Sequence, residues 1–245
     1  YLPDQGLVLD AGSGMFRLVE CLLAEPRSSL DILLSHAHLD HIMGLTFLLN
    51  ALAVTDLQHV RLIGQAEKLE AIRTHLFNPL IFPVDPPLEF VPLPADSGRQ
   101  TLDELCSQPQ GLATEGIDRQ RVSVEWFPLE HPGGSLGFVV ECQEDSRTKR
   151  LAYVTDTTAR PGAVYEERLQ RLDLLLHECY LGDEHCELAE KTGHSCLGAV
   201  TDLVRRLNPK STALIHLNPL SEVLKNGFML ESLHRDQLHM HPRER

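Results

Sequence analysis

The sequence predicts a single-domain α/β fold in which helices pack in layers on sheet. Three observations carry this reading. A length of 245 residues suits one large α/β domain and can bury a sizeable core. Short apolar runs first form hairpin-like groups and then alternate with segments of helical periodicity. Several of those runs stop at an Asp or a His, which places polar chemistry at strand ends.

Gly6-Leu7-Val8-Leu9-Asp10 reads as a short buried strand, Ala11-Gly12-Ser13-Gly14 as its turn, and 16–23 as a helix. The run Leu30-Asp31-Ile32-Leu33-Leu34-Ser35 is a second strand, and 42–54 carries a helical apolar pattern. A strand over 60–63 and a helix over 65–76 follow. Residues 78–120 are different: seven prolines and few periodic runs predict an irregular excursion with one short helix, a candidate cover for an active site. Alternation returns in 122–126, which pairs with 136–142 as a hairpin. Strands are expected over 151–155, 172–176 and 212–215, and helices over 184–191, 197–207 and 222–233.

Composition narrows the class. Hydrophobic residues at 42% and charged residues at 23% are those of an ordinary globular protein. No apolar run approaches the ~18–20 residues of a membrane span, so no membrane association is expected. A net charge of −13 disfavours a broad electrostatic grip on nucleic acid, which needs clustered Lys and Arg. It is compatible with a small anionic substrate if cations are bound locally. Cys21, Cys106, Cys142, Cys179, Cys186 and Cys196 form no Cys-x-x-Cys pair. Together with the absence of a recognisable leader, this predicts reduced thiols and a cytoplasmic protein.

The densest chemistry lies in His36-Ala37-His38-Leu39-Asp40-His41, directly after an apolar strand. Imidazole and carboxylate suit zinc and its first-row neighbours. Residues two apart on extended chain point the same way, so His36 and His38 can grip one ion while Asp40 and His41 reach another. A solvated polar loop would not need three histidines at this density. Further donors end other strands: His131 before Pro132-Gly133-Gly134, Asp156 after Tyr153-Val154-Thr155, and His216 after 212–215. Cys179, His185, Cys186 and Cys196 do not match a zinc-knuckle spacing, and His234, His239 and His241 read as solvent-exposed.

From Asp10 to about His216, with its His-x-His-x-Asp-His motif, the chain resembles the metallo-β-lactamase superfamily. The resemblance implies a four-layer αββα sandwich forming one hydrolase domain over residues 1–245. It implies two divalent metal ions, zinc with manganese as the alternative. His36, His38 and His131 would hold one ion, Asp40, His41 and His216 the other, and Asp156 would bridge them. Asp10 would support the metal-binding loop without ligating. Lactamases carry a cysteine where this chain has Asp156, which argues against antibiotic hydrolysis.

His177-Glu178, Gly193-His194-Ser195 and Leu214-Ile215-His216 look like the ribonuclease Z and small-phosphodiesterase branch. There His194 would act as general acid, oriented by Glu178, with Asp40 also in a catalytic role. The implied reaction is attack of a metal-bound hydroxide on phosphorus, His194 protonating the leaving alkoxide. One departure matters: the interval from His131 to Asp156 is too short for the arm with which ribonuclease Z clamps transfer RNA. The expected substrate is therefore a small or cyclic phosphodiester. The alternatives are a ribonuclease Z-like endonuclease acting on transfer-RNA 3′ ends and a non-hydrolytic or cofactor-biosynthesis member of the fold. The last rests on Ile215-His216-Leu217-Asn218-Pro219-Leu220, which resembles a pyrroloquinoline-quinone relative. A glyoxalase II-type thiolester hydrolase is disfavoured by the Gly-His-Ser element. A homodimer is a further expectation.

Overall fold

Apolar strands joined by helical crossovers must pair in parallel, and those of the first half of the chain do. The computed structural model describes residues 1–106, 121–144, 147–218 and 238–239. Two units divide the chain, Tyr1–Val122 and Ser123–Arg245. In the first, β1 (Leu7–Leu9), α1 (Met15–Ala24), β2 (Ser29–Leu33), α2 (Leu39–Ile42) and α3 (Leu48–Val54) precede β3 (His59–Gly64) and α4 (Ala66–Ala71). After them come β4 (Leu88–Pro92), β5 (Gly98–Thr101) and α5 (Leu102–Cys106). The sheet order β1-β2-β3-β4 is parallel throughout, in register at Leu9↔Leu33 and Leu33↔Ile63.

Every residue of β2 is buried, as a parallel strand covered on both faces requires. Asp31 is tolerated inside it because Arg61 Nε donates to its Oδ1 at 2.5 Å. Leu18 and Leu22 of α1 pack with Leu30 and Ile32 of β2, Leu48 of α3 and Leu62 of β3.

Two expectations change here. The helical pattern over 42–54 is broken into α2, a 3-10 turn at Met43–Phe47, and α3. The cause is local: Gly44 N–H donates to Ala11 O at 2.7 Å, leaving the helical ladder to tie this segment to the turn after β1. The Pro-rich stretch is more regular than its composition suggests. β4 adds to the outer edge of the sheet, and Pro92 is accommodated there because an edge strand can spare a donor. The end of that stretch, residues 107–120, and the expected helix over 222–233 lie outside the described residues.

In the second unit the order β11-β10-β9-β8-β7-β6 joins β6 (Val122–Leu129), β7 (Ser135–Glu144), β8 (Arg147–Val154), β9 (Leu174–Glu178), β10 (Ser211–Ile215) and β11 (Leu238–His239). Helices α6 (Cys186–Thr192) and α7 (Leu197–Leu207) fall between β9 and β10. β7 and β8 are antiparallel, while β8, β9 and β10 run parallel. The β7–β8 hairpin pairs from Phe138↔Tyr153 to Glu144↔Arg147, and so takes up nearly all the chain between His131 and Asp156. Phe127, Val139, Ala152, Leu175, Val200 and Leu203 form the core of this unit.

The expectation of uniformly reduced thiols is corrected: Cys186 and Cys196 are joined in a disulfide with Cα atoms 5.1 Å apart. Helix α6 runs out from Cys186 and the chain turns back at Gly193, so ten residues of sequence separation collapse to bonding distance. The other four cysteines are thiols, and burial pushes that of Cys179 up to about 12. Among the described residues no helix is long and apolar enough to cross a membrane.

Candidate metal centre

In the first unit the donors sit on the loop that leaves β2, His36 and His38, and on the short helix α2 that follows it, Asp40 and His41. Register places Asp10, the residue after β1, beside the end of β2, where its N–H donates to Leu33 O at 2.9 Å. Asp10 then accepts from Ser35 N–H and Ser35 Oγ, both at 2.6 Å, and from His41 Nδ1 at 2.7 Å. The Ser35 hydroxyl proton is engaged in the bond to Asp10, so at 3.0 Å its oxygen accepts from His36 Nδ1. Both imidazoles therefore carry the ring proton on Nδ1 and the lone pair on Nε2. The rings of His38 and His41 lie 4.4 and 4.3 Å from that of His36. Gly12 is required beneath this loop, since a Cβ there would stand 2.3 Å from Asp40 O.

In the second unit three parallel strands deliver the donors to one sheet end. Thr155-Asp156 follows β8, Glu178 closes β9 and His216 follows β10, in register at Val154↔His177 and Ile215↔Glu178. His131 joins them from the turn after β6. Asp156 is buried and faces two histidines: Oδ2 lies 3.5 Å from His131 Nε2, and Oδ1 lies 3.4 Å from His216 Nε2. Thr155 Oγ1 donates to Oδ1 at 2.7 Å. His131 Nδ1 donates to Gly193 O at 2.9 Å, which leaves its lone pair on Nε2, facing the carboxylate.

That pairing tests whether a cation fits. A lone pair and a carboxylate oxygen repel when nothing lies between them. Two ligand atoms about 2.0–2.2 Å from one tetrahedral cation stand ~3.4 Å apart. His131–Asp156 at 3.5 Å meets that spacing, and so does His41 Nε2–Asp40 Oδ2 at 3.5 Å in the first unit. Each unit thus holds an imidazole–carboxylate pair with the chemistry and spacing of a divalent-metal site. The backbone is strained at the same residues. Asp10, Asp156 and His216 adopt φ of 57°, 39° and 50°, each just after a strand, in a region that costs a non-glycine residue about 1–3 kcal/mol.

Beside this lies His194, whose Nδ1 is 3.2 Å from Glu178 Oε1. The same oxygen accepts Thr157 N–H at 2.7 Å, and Glu178 is wholly buried. Its Oε2 has no hydrogen-bond partner among the described residues. Asp156, His194 and His216 offer ligand atoms within 4.8 Å of one another. His177 does not take part: it is buried, its Nδ1 donates to Glu178 O at 2.7 Å, and burial holds its pKa below the usual value.

A family model described as the beta-lactamase superfamily domain matches residues 7–217. The chain belongs to the metallo-β-lactamase superfamily. That superfamily uses divalent metals, typically two, which agrees with the paired donor sets. A curated ribonuclease Z from Metallosphaera sedula is 28% identical over 234 residues, covering 82% of this chain and 78% of its own length. The crystal structure of human tRNase Z, short form, has a TM-score of 0.61 at 20% identity, covering 96% of this chain and 85% of that one. A diphosphatase of the PhnP family has a TM-score of 0.62 at 21% identity, covering 95% and 76%. At these identities the two solved structures establish the shared superfamily fold.

Sequence reasoning gave no role to Ser35 or Tyr180, and named Gly193 and Ser195 only as the setting of His194. Ser35 was signalled only by its position before the His motif. Ser195 Oγ donates to Thr157 O at 2.7 Å and accepts Ala159 N–H at 2.9 Å, a long-range link with no local signature. Gly193 sits at φ 79°, and a Cβ on it would stand 2.3 Å from Pro132 Cδ.

Proposed function

We propose that the protein is a phosphodiesterase acting on a small or cyclic phosphodiester, with His194 as general acid. The observation that carries this reading is the contact of His194 Nδ1 with Glu178 Oε1 beside the Asp156 carboxylate. His36, His38 and His131 are assigned to one cation, Asp40, His41 and His216 to the other, and Asp156 to both. When bound, the two cations supply Lewis-acid stabilisation of charge on the phosphoryl oxygens and activate water at neutral pH.

The chain's own groups do the rest. Glu178, held by Thr157 N–H, fixes the His194 ring through Nδ1 and so leaves Nε2 as the atom turned to the substrate. The acidic proton is then the one on Nε2, which passes to the departing oxygen. Asp10 keeps the His36 and His41 lone pairs on Nε2, and Gly193 O does the same for His131. Asp40 contributes a carboxylate at the edge of the set, exposed to incoming substrate. The β7–β8 hairpin occupies the interval where a transfer-RNA clamp would have to emerge, which supports a small substrate.

A second reading, transfer-RNA 3′-end cleavage, is favoured by the Metallosphaera sedula relative. The deciding experiment loads the protein with zinc or manganese and measures turnover of bis-p-nitrophenyl phosphate, cyclic nucleotides, cyclic phosphosugars and precursor transfer RNA. Turnover of the small diesters is the expected result. Cleavage of precursor transfer RNA with none of the small diesters consumed would overturn it in favour of the endonuclease.

A further inference from the structure

A general acid works only if its ring is held in the plane that aims the proton, and one hydrogen bond cannot do that alone. Glu178 Oε1 restrains His194 at Nδ1, which fixes the ring within its own plane but leaves it able to tilt about that contact. The tilt is restrained by something else. Tyr180 lies with its ring centroid 4.2 Å from that of His194 and the two planes 22° apart, a stacked pair. From this stacked geometry we infer that Tyr180 is a positioning residue for the acid, an inference that rests on the reading of His194 given above.

The backbone of Tyr180 shows why its ring can serve as a fixed plate. Its N–H donates to Ser195 O at 3.0 Å, tying it to the residue after His194. Its carbonyl accepts Asn218 N–H at 3.1 Å, tying it to the segment that carries His216. The ring is also tilted 31° to His216 at 5.4 Å, and His194 and His216 are themselves stacked at 18° and 5.4 Å. The His194 ring is thus stacked both with Tyr180, which follows β9, and with His216, which follows β10. Tyr180 is half-buried and is separated from Glu178 by Cys179 alone, so one strand terminus supplies both restraints on His194.

The test uses the metal-loaded full chain and two diester substrates, one with a p-nitrophenyl and one with a nucleoside leaving group. Y180A should lower kcat on the nucleoside ester by roughly tenfold, the scale of one stacked aromatic pair. It should leave KM and metal content unchanged, and change the p-nitrophenyl rate by less than about twofold, since that leaving group needs little protonation. Y180F keeps the plate and should restore the nucleoside rate. In an H194A background, Y180A should cost nothing further, because the restrained group is gone. Equal losses on both substrates, or a loss by Y180A that persists without His194, would overturn the positioning role. H194A measured alone separates the two layers of the argument: a loss that does not depend on the leaving group overturns the general acid itself, and the role of Tyr180 with it.

Discussion

In the Tyr1–Val122 unit four donor side chains follow one another along the loop after β2 and the short helix α2, tied down by Asp10. In the Ser123–Arg245 unit His131, Asp156 and His216 arrive separately, from the ends of β6, β8 and β10. The difference is one of what holds the geometry. The loop depends on a few hydrogen bonds, from Ser35 and His41 to one carboxylate and from His36 to Ser35. The strand ends depend on sheet register, which is fixed along whole strands by the pairing of β8, β9 and β10. Disturbing a side chain should therefore spread through the first set and stay confined in the second.

The largest effect is expected at Asp156, the carboxylate proposed above to serve both cations. Asp156→Ala should cut turnover by more than the ~10–100-fold typical of losing a supporting residue, and the protein should retain about one ion where it held two. Metal analysis after dialysis, alongside the rate on a small diester, reads both. Full turnover with two ions retained would break the comparison. Next comes Asp10→Ala, which removes the post of the loop and should weaken metal affinity by ~10–100-fold without removing any ligand. A chelator titration of wild type and variant measures it, and an unchanged affinity would mean that the loop holds its shape without Asp10.

Smaller still, Glu178→Gln keeps the hydrogen bond to Thr157 and loses the charge beside His194. A fall of about tenfold, the low end of what a supporting carboxylate contributes, is expected on nucleoside leaving groups. Metal content should not change. The smallest effect concerns stability alone. Cys186→Ser opens a loop of ten residues of separation, worth about 2–3 kcal/mol by chain entropy. Denaturant unfolding should register that loss while metal content stays constant. A variant as stable as wild type would show that the bridge is not closed in solution.

The contrast between the units also explains what could be read beforehand. The His36–His41 motif was legible because its donors are contiguous and lie at a strand end where packing has no use for them. Strand ends were legible too, as apolar runs stopping at Asp10, Asp156 and His216, and α7 runs over the residues its apolar period marks. The Glu178–His194 contact was reached only through resemblance, because the two meet across an intervening helix. Three features escaped. The break in 42–54 comes from a backbone bond between Gly44 and Ala11, which hydrophobic period does not encode. β4 was hidden by prolines that an edge strand tolerates. Cys186 and Cys196 are brought together by the turn at Gly193, which spacing rules for cysteine pairs do not anticipate.

Gly193 carries a consequence for how such a protein could change. Its carbonyl accepts the proton of His131, and the next residue is His194, while Pro132 leaves no space for a Cβ. On the function proposed above, one peptide unit would serve metal retention on one side and proton delivery on the other. Substitution at this point meets the Pro132 ring, and a change at Pro132 would relieve that clash but not the left-handed backbone at φ 79°. In a mutational landscape positions 132 and 193 should therefore be epistatic. Attempts to tune the leaving-group preference of the enzyme would meet metal loss as their first obstacle unless they leave this glycine alone.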